Sequence, residues 1–282
     1  KRWLITGVSG GLGRLLAEAA LARGDSVAGT VRKAEQAAEF AALAPGRAHG
    51  VVLDVTDRAR IRPAVDEAIA RLGGLDVLVN NAGYGLIGAA EELDEDQIDA
   101  VIETNLCGTI HVTRAALPEL RGHGGTIMNL SSLAGIVGLP ASSTYCAAKF
   151  GVEGFSEALQ LEVAPFGIRV IVVEPGGFRT NFATTSIRTA RNPIVAYDAT
   201  PAGEGRLRIT TMGEKINDYM RGDPAKAAAA MIAAVDAPEP PFRLVLGPDA
   251  LAAIRKKLTR LANNLDAWES TSLGTDLEQA QA

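Results

Sequence analysis

The stretch Arg2-Trp3-Leu4-Ile5-Thr6-Gly7-Val8-Ser9-Gly10-Gly11-Leu12-Gly13 decides how the rest of the chain is read. Arg2 to Thr6 has the length and apolar character of a short buried strand. Leu12, Leu15, Leu16 and Ala19 then recur at helical spacing. A strand that passes through a glycine-rich turn into a helix lets backbone N–H groups and a helix N-terminus meet a pyrophosphate. Glycine-rich turns are common, and this one gains weight from standing after a first strand and before a helix.

Working outward, Ser26 to Val31 reads as the second strand, with Arg32-Lys33 directly after it. In dinucleotide-binding sheets an acid at this point suits a free ribose 2′-hydroxyl, whereas an arginine accommodates a 2′-phosphate. No acid stands here, so the expectation is NADP(H). If Arg32 and Lys33 are only solvated charges opening the next helix, NAD(H) is the alternative. A helix from Ala34 to Leu43 leads to a third strand, Gly50 to Leu53, which ends in Asp54. That carboxylate could bond an adenine amino group or a local backbone N–H. Asp57 caps the next helix, which Gly73-Gly74 closes after Leu72. Leu75 to Val79 is the fourth strand and ends in Asn80-Asn81-Ala82-Gly83. One helix is expected from Asp94 to Leu120, with Asn105 inside it. An asparagine there competes with its own backbone for hydrogen bonds, as a surface residue or as a local break used by a site.

The next strand, Gly125 to Leu130, ends in the hydroxyls of Ser131 and Ser132, and Gly135, Gly138 and Pro140 break the chain into a loop. From Thr144, the expected N-cap, to Pro165 the apolar residues Ala148, Val152, Phe155 and Leu159 fall at helical spacing. Tyr145 and Lys149 lie four apart and project from one face. A phenol has an ordinary pKa of about 10. A neighbouring ammonium and a helix N-terminus both favour its phenolate. The expectation is that Tyr145, so tuned, passes a proton to or from a carbonyl or alcohol oxygen that a serine hydroxyl holds. Cys146 reads as a small buried helix residue.

Ile168 to Val173 is the following strand, running into Glu174-Pro175-Gly176-Gly177-Phe178-Arg179-Thr180. Residues 181–222 show no clean periodicity, being interrupted by Pro193, Pro201, Gly203, Gly205 and Gly213, and read as a substrate-binding loop or lid. Its apolar walls would come from Phe182, Ile187, Ile194, Val195, Tyr197, Met212, Tyr219 and Met220. A helix from Asp223-Pro224 to Val235, a strand from Phe242 to Leu246 and a helix from Pro248 to Leu265 complete the pattern. The tail from Glu269, within residues 248–282, is polar and expected to fray. Trp268 could cover the cleft, join a partner chain or cap the core, and capping is the expectation.

Strands alternating with helices demand a parallel sheet with helices on both faces, whose ligands gather at the carboxyl ends of the strands. The glycine turn, Arg32, Asp54, Asn80 to Gly83, Ser132 and Pro175 to Thr180 all follow strand ends. The 282 residues suffice for one large α/β domain, and neither an internal repeat nor a linker divides them. With 47% apolar and 22% charged residues, a net charge of −5 and no basic block, nucleic acid is not the expected partner. The two cysteines form no disulfide framework, and His49, His111 and His123 are scattered, so no metal site is expected. No signal pattern and no membrane-length apolar run are visible, and the expected compartment is the cytoplasm.

With these residues assembled, the chain resembles the short-chain dehydrogenase/reductase family from Arg2 to Thr180. Thr6, Gly7, Gly11 and Gly13 match its Thr-Gly-x-x-x-Gly-x-Gly motif, and Asn80 to Gly83 its Asn-Asn-Ala-Gly motif. Asn105, Ser132, Tyr145 and Lys149 fall where the family keeps its catalytic residues, and Pro175-Gly176 with Thr180 where it contacts the nicotinamide. The resemblance implies a single Rossmann-like, doubly wound domain with a seven-stranded sheet in the order 3-2-1-4-5-6-7. It implies cofactor contacts from Gly7, Ser9, Gly10, Gly11, Leu12, Gly13, Arg32, Asp54, Val55, Asn81, Ala82, Gly83, Tyr145, Lys149, Pro175, Gly176, Phe178 and Thr180. Tyr145 would exchange the proton, Ser132 would position the substrate oxygen, and Lys149 would lower the tyrosine pKa and hold the nicotinamide ribose. Asn105 would support a water-linked relay to Lys149. The implied activity is NADP(H)-dependent interconversion of a carbonyl and a secondary alcohol, in the reductive sense, by a homodimer or homotetramer. An NAD-dependent alcohol dehydrogenase, or a nucleotide sensor that has lost its chemistry, are the alternatives.

Overall fold

Alternate residues of each inner strand enter opposite halves of the core, and that alternation builds the molecule. In β1 (Arg2–Ile5), Trp3 and Ile5 join one apolar cluster while Leu4 joins the other. The same split divides β4 (Val77–Asn80), where Val77 and Val79 face one side and Leu78 the other. It recurs in β6 (Gly125–Leu130), with Met128 against Ile127, and in β7 (Ile168–Pro175), with Ile171 and Val173 against Val170. A strand apolar on both faces must be covered on both faces, which is the condition for a parallel sheet. Each such side chain contributes about 1.5–3 kcal/mol by leaving water.

The computed structural model describes residues 1–212 and 215–277. Gly213 and the tail residues 278–282 lie outside the described residues. β2 (Ser26–Val31), β3 (Ala48–Val52) and β9 (Arg243–Leu246) complete a seven-stranded sheet in the order β3-β2-β1-β4-β6-β7-β9. Every neighbouring pair is parallel. Counted within this sheet, that is the expected order 3-2-1-4-5-6-7. One face is covered by α1 (Gly11–Ala22), α2 (Ala34–Ala41) and α10 (Pro224–Asp236). The other is covered by α3 (Arg58–Leu72), α5 (Gly108–His123) and α6 (Ser143–Val163). The strand order turns back between β1 and β4, so the loops after these two strands diverge and leave a crevice at their carboxyl ends.

The structure departs from the sequence expectations at five places. The single helix expected from Asp94 to Leu120 is α4 (Glu95–Ile102), a wider π turn at Glu103–Cys107, and then α5. The break falls on Asn105. The helix carrying Tyr145 starts at Ser143 with Ser142 as N-cap, two residues before the expected Thr144 cap. Residues 181–222 are not loop throughout, because they hold α7 (Phe182–Thr185), β8 (Ile187–Thr189), α8 (Pro201–Met212) and α9 (Ile216–Tyr219). β8 exists only by pairing with β5 (Gly85–Ile87), a hundred residues away in the chain, and no local pattern announces such a strand. Gly203 looks like a helix breaker, yet a Cβ there would lie 2.2 Å from the Tyr197 carbonyl oxygen, so close packing requires it inside α8. Trp268 is 61% exposed and does not cap the core, since α11 (Pro248–Ala267) buries only Ala250 and Ile254 and then leaves the body. The segment after it is helical, α12 (Glu269–Leu273), where fraying was expected.

Candidate active site

The turn after β1 shows that its glycines serve different ends. Gly7 and Gly11 take φ values of +74° and +62°, a left-handed region that strains any residue with a Cβ. Gly13 is needed for space, because its Cβ would stand 2.6 Å from the Gly7 carbonyl oxygen and 2.2 Å from Asn81 Nδ2. Gly10 is the N-cap of α1 and supplies no side chain to its first turn. The N–H groups there are open to an anion, and the cradle fits the pyrophosphate of a dinucleotide.

The loop after β4 is tied to that turn. Thr6 Oγ1 accepts the N–H of Asn81 at 2.9 Å and of Ala82 at 3.0 Å. Asn81 Nδ2 donates back to the carbonyl oxygens of Thr6 and Gly7, both at 2.9 Å. Behind them Asn80 Nδ2 donates to Thr113 Oγ1 and Asn129 Oδ1, and Asn129 Nδ2 donates to Ser156 Oγ. The sequence reading did not give these residues a joint role, because a buried polar chain leaves no periodic signal.

Asn105 uses its whole amide on one partner. Its Oδ1 accepts the Tyr84 N–H at 3.0 Å, and its Nδ2 donates to the Tyr84 carbonyl at 2.8 Å. The wider π turn frees the geometry for this clamp. Asn105 is fully buried and does not line the cavity, so its direct work is holding the chain after Gly83.

Ser132 leaves β6 with extended backbone and caps the short turn that follows, its Oγ accepting the Ala134 N–H at 3.1 Å. It is the serine that touches the phenol of Tyr145. Ser131 is buried and faces Gly135 and Glu153. Lys149 is buried and donates to the Leu130 carbonyl oxygen at 2.6 Å, with its Nζ 5.9 Å from the Tyr145 ring centroid. Burial drives Tyr145 up to about 12, against a smaller downward pull from the Ser132 hydrogen bond. This corrects the expectation of a phenol depressed by its lysine: the ammonium is turned to a backbone oxygen, and loss of water dominates. Burial likewise brings Lys149 down to about 8, and the nearby Glu153 carboxylate opposes it. Glu153 and Glu174 are both buried and meet Arg243 of β9, which donates to Glu174 at 2.9 Å. Cys146 is buried, as expected, and its Sγ accepts the Leu139 N–H.

One cavity of about 1400 Å³ gathers most of the candidates. Gly7, Ser9, Gly10, Gly11, Leu12, Arg32, Asp54, Val55, Asn81, Ala82 and Gly83 line it, with Ser132, Tyr145, Lys149, Pro175, Gly176, Phe178 and Thr180. Gly13 and Asn105 stand behind the wall. Asp54 spends one oxygen locally, accepting the N–H and hydroxyl of Thr56 at 3.0 and 2.8 Å. Arg32 has no acidic partner among the described residues. The volume exceeds the roughly 300–1,000 Å³ typical of a pocket for one small ligand, as a dinucleotide with a substrate beside it requires. Lining residues missed by sequence include Tyr84, Leu139, Arg188, Arg208 and Asp249. Asp249 accepts the Gly177 N–H at 2.8 Å, and its place at the start of α11 gave no hint of that reach. Among the described residues there is no cluster of metal-ligating side chains and no helix long and apolar enough to cross a membrane.

Comparison with known proteins agrees with this geometry. The family model for short chain dehydrogenase matches residues 1–191. The oxidoreductase BOA17 of Botryotinia fuckeliana is 39% identical over 98% of this chain and 99% of its own. A 3-ketodihydrosphingosine reductase of Bacteroides thetaiotaomicron is 36% identical over 93% of each chain. The crystal structure of a short-chain dehydrogenase from Streptomyces avermitilis superposes with a TM-score of 0.88 at 42% identity, covering 97% of this chain and 99% of that one.

Proposed function

Since the chain belongs to the short-chain dehydrogenase family of oxidoreductases, we propose that it is an NADP(H)-dependent carbonyl reductase acting on a small ketone or aldehyde. The observation that carries the cofactor choice is Arg32: it follows β2 without an acid beside it, lines the cavity, and has no carboxylate partner among the described residues. A guanidinium so placed suits a 2′-phosphate.

The chain's own groups then divide the work. Ser132 holds the substrate oxygen beside the phenol, and Tyr145 passes its proton to that oxygen. A phenol pushed up to about 12 keeps this proton through the neutral range, which suits the reductive sense. Lys149 offers a positive charge on the same helix face, its Nζ 5.9 Å from the centroid of the ring that becomes phenolate. The bound nicotinamide supplies the hydride; the protein supplies geometry and charge. Two reductases among oxidoreductase relatives, the 3-ketodihydrosphingosine reductase and a 3-oxoacyl-[acyl-carrier-protein] reductase of Haemophilus influenzae, support the same class. Two free cysteines and the lack of a membrane-length helix among the described residues support a cytoplasmic setting.

Fluorescence titration of NADPH and NADH on wild type and Arg32→Asp tests the reading. NADPH should bind about 10- to 100-fold tighter, as expected for charged hydrogen bonds to a phosphate, and the variant should lose that margin. Equal affinities in the wild type would move the assignment to an NAD-dependent alcohol dehydrogenase. Failure to oxidise NADPH with any of a panel of ketones would favour a sensor.

A further inference from the structure

The lid segment carries several arginines, and their partners differ in a way that bears on the substrate. Arg191 is neutralised by Asp94 and Asp96, and Arg206 by Glu92 and Asp198. Arg179, just before the lid, donates to the Met220 carbonyl oxygen at 2.7 Å. Arg188 and Arg208 are the two lid arginines that line the cavity, and among the described residues neither meets a carboxylate.

Arg188 is also held in position. Its backbone belongs to β8, in register with Leu86 of β5. Its guanidinium lies over the Tyr84 ring, 4.3 Å from the centroid. Tyr84 in turn packs with Tyr145 on the cluster of Leu86, Leu93, Val101 and Ala190. A cation stacked this way loses little freedom when its fork engages an anion. Of the acids that line the cavity, Asp96 is paired with Arg191 and Glu103 with Arg58. Asp249 accepts the Gly177 N–H and Asp54 the Thr56 N–H and hydroxyl, which leaves Asp99 as the one without a bonded partner among the described residues. Leu139, Phe182, Ile187 and Met220 add apolar surface to a lining that also holds Asn181, Thr185 and Ser186.

We propose that the substrate carries an anionic group, a carboxylate or a phosphate, joined by an apolar segment to its carbonyl, and that Arg188 and Arg208 bind that anion. The proposal rests on the reading of this cavity as the carbonyl-reduction site. Guanidinium groups match both anions through paired N–H donors, and the apolar side chains that share this cavity, Leu139, Phe182, Ile187 and Met220, suit a hydrocarbon spacer.

Equilibrium binding to the NADPH-saturated protein tests this without turnover. Hexanoate is compared with hexanamide, and hexyl phosphate with hexanol, on wild type and on Arg188→Gln/Arg208→Gln. The expected result is that at least one anion binds about 10- to 100-fold tighter than its neutral counterpart, as charged hydrogen bonds require, and that the double variant loses the difference. Whichever pair shows it separates carboxylate from phosphate. In parallel, kcat/KM for levulinate should exceed that for its methyl ester in the wild type, with the ratio falling toward one in the variant. Equal binding of anion and neutral partner, or a preference that survives in the variant, overturns the proposal. So does a variant that loses NADPH affinity instead, since the arginines would then serve the cofactor. If no ketone is reduced at all, the reductase reading fails while the binding comparison still decides this one.

Discussion

The ammonium of Lys149 donates to the carbonyl oxygen of Leu130 at 2.6 Å, which pins the helix bearing Tyr145 to the end of the strand that delivers Ser132. Phenol and hydroxyl arrive from different elements, α6 and the exit of β6, and this bond fixes their spacing. Lysine is thus a structural strut as well as a charge.

The buried ammonium makes stability depend on pH in a defined direction. Lys149 falls from its ordinary pKa to about 8, so above that the folded chain has released a proton that the unfolded chain keeps until about 10.4. Folding therefore gains stability as pH rises into this window, until the Cys107 and Cys146 thiols, pushed up by burial, oppose it from about 8.5 and Tyr145, driven up to about 12, from about 10. Denaturant titrations of the cofactor-free protein from pH 7 to about 8.5 should show the rise. Lys149→Met should flatten it; an unchanged slope would place the titrating group elsewhere.

Tyr145→Phe removes the proton and keeps the ring on its apolar cluster. Reduction should fall by about 10²–10⁴-fold, the usual worth of a positioned acid. NADPH affinity should stay within a few-fold. A variant that still turns over near the wild-type rate would assign the proton to another group.

Asn105→Ala leaves the Tyr84 N–H and carbonyl without the amide that now meets both. The cost should be about 1–3 kcal/mol by equilibrium unfolding, the penalty for stranded buried polar groups. Because the clamp holds the chain just after Gly83, NADPH binding should weaken in the same variant. Loss of activity with stability and cofactor affinity both intact would instead point to a role in proton transfer.

Gly13→Ala drives a methyl into the Gly7 carbonyl and the Asn81 amide. Destabilisation of about 1–3 kcal/mol is expected from overpacking, together with weaker cofactor binding as the turn shifts. Gly10→Ala meets no atom within 4 Å and should fold normally. The pair separates a glycine that close packing requires from one in the same turn that it does not.

What the sequence made legible follows from how each signal is written. The main sheet could be read because a doubly covered strand is apolar without interruption and is punctuated by glycine, asparagine or aspartate at its end. The cavity-lining turns could be read because they fall at those ends. Asn105 was visible as an oddity in a helix, but its partner was not, since the Tyr84 backbone it holds lies across the fold. Arg188 was illegible for the same reason: its position depends on β8, a strand created by a distant partner. Trp268 misled because large apolar residues usually go inside, and nothing local tells a helix that it has run past the body it started from.

The pairing of β5 with β8 leaves one more consequence, in the time domain. Each of these strands is three residues long, and their parallel pairing stands apart from the main sheet. Such a ribbon is marginal by itself, so it can unzip while the seven-stranded body stays folded. β5 begins two residues after Gly83 at the cofactor cradle, and β8 carries the cation that faces the substrate. Unzipping would slacken both grips at once, so the dwell times of cofactor and product become coupled through one short ladder of hydrogen bonds.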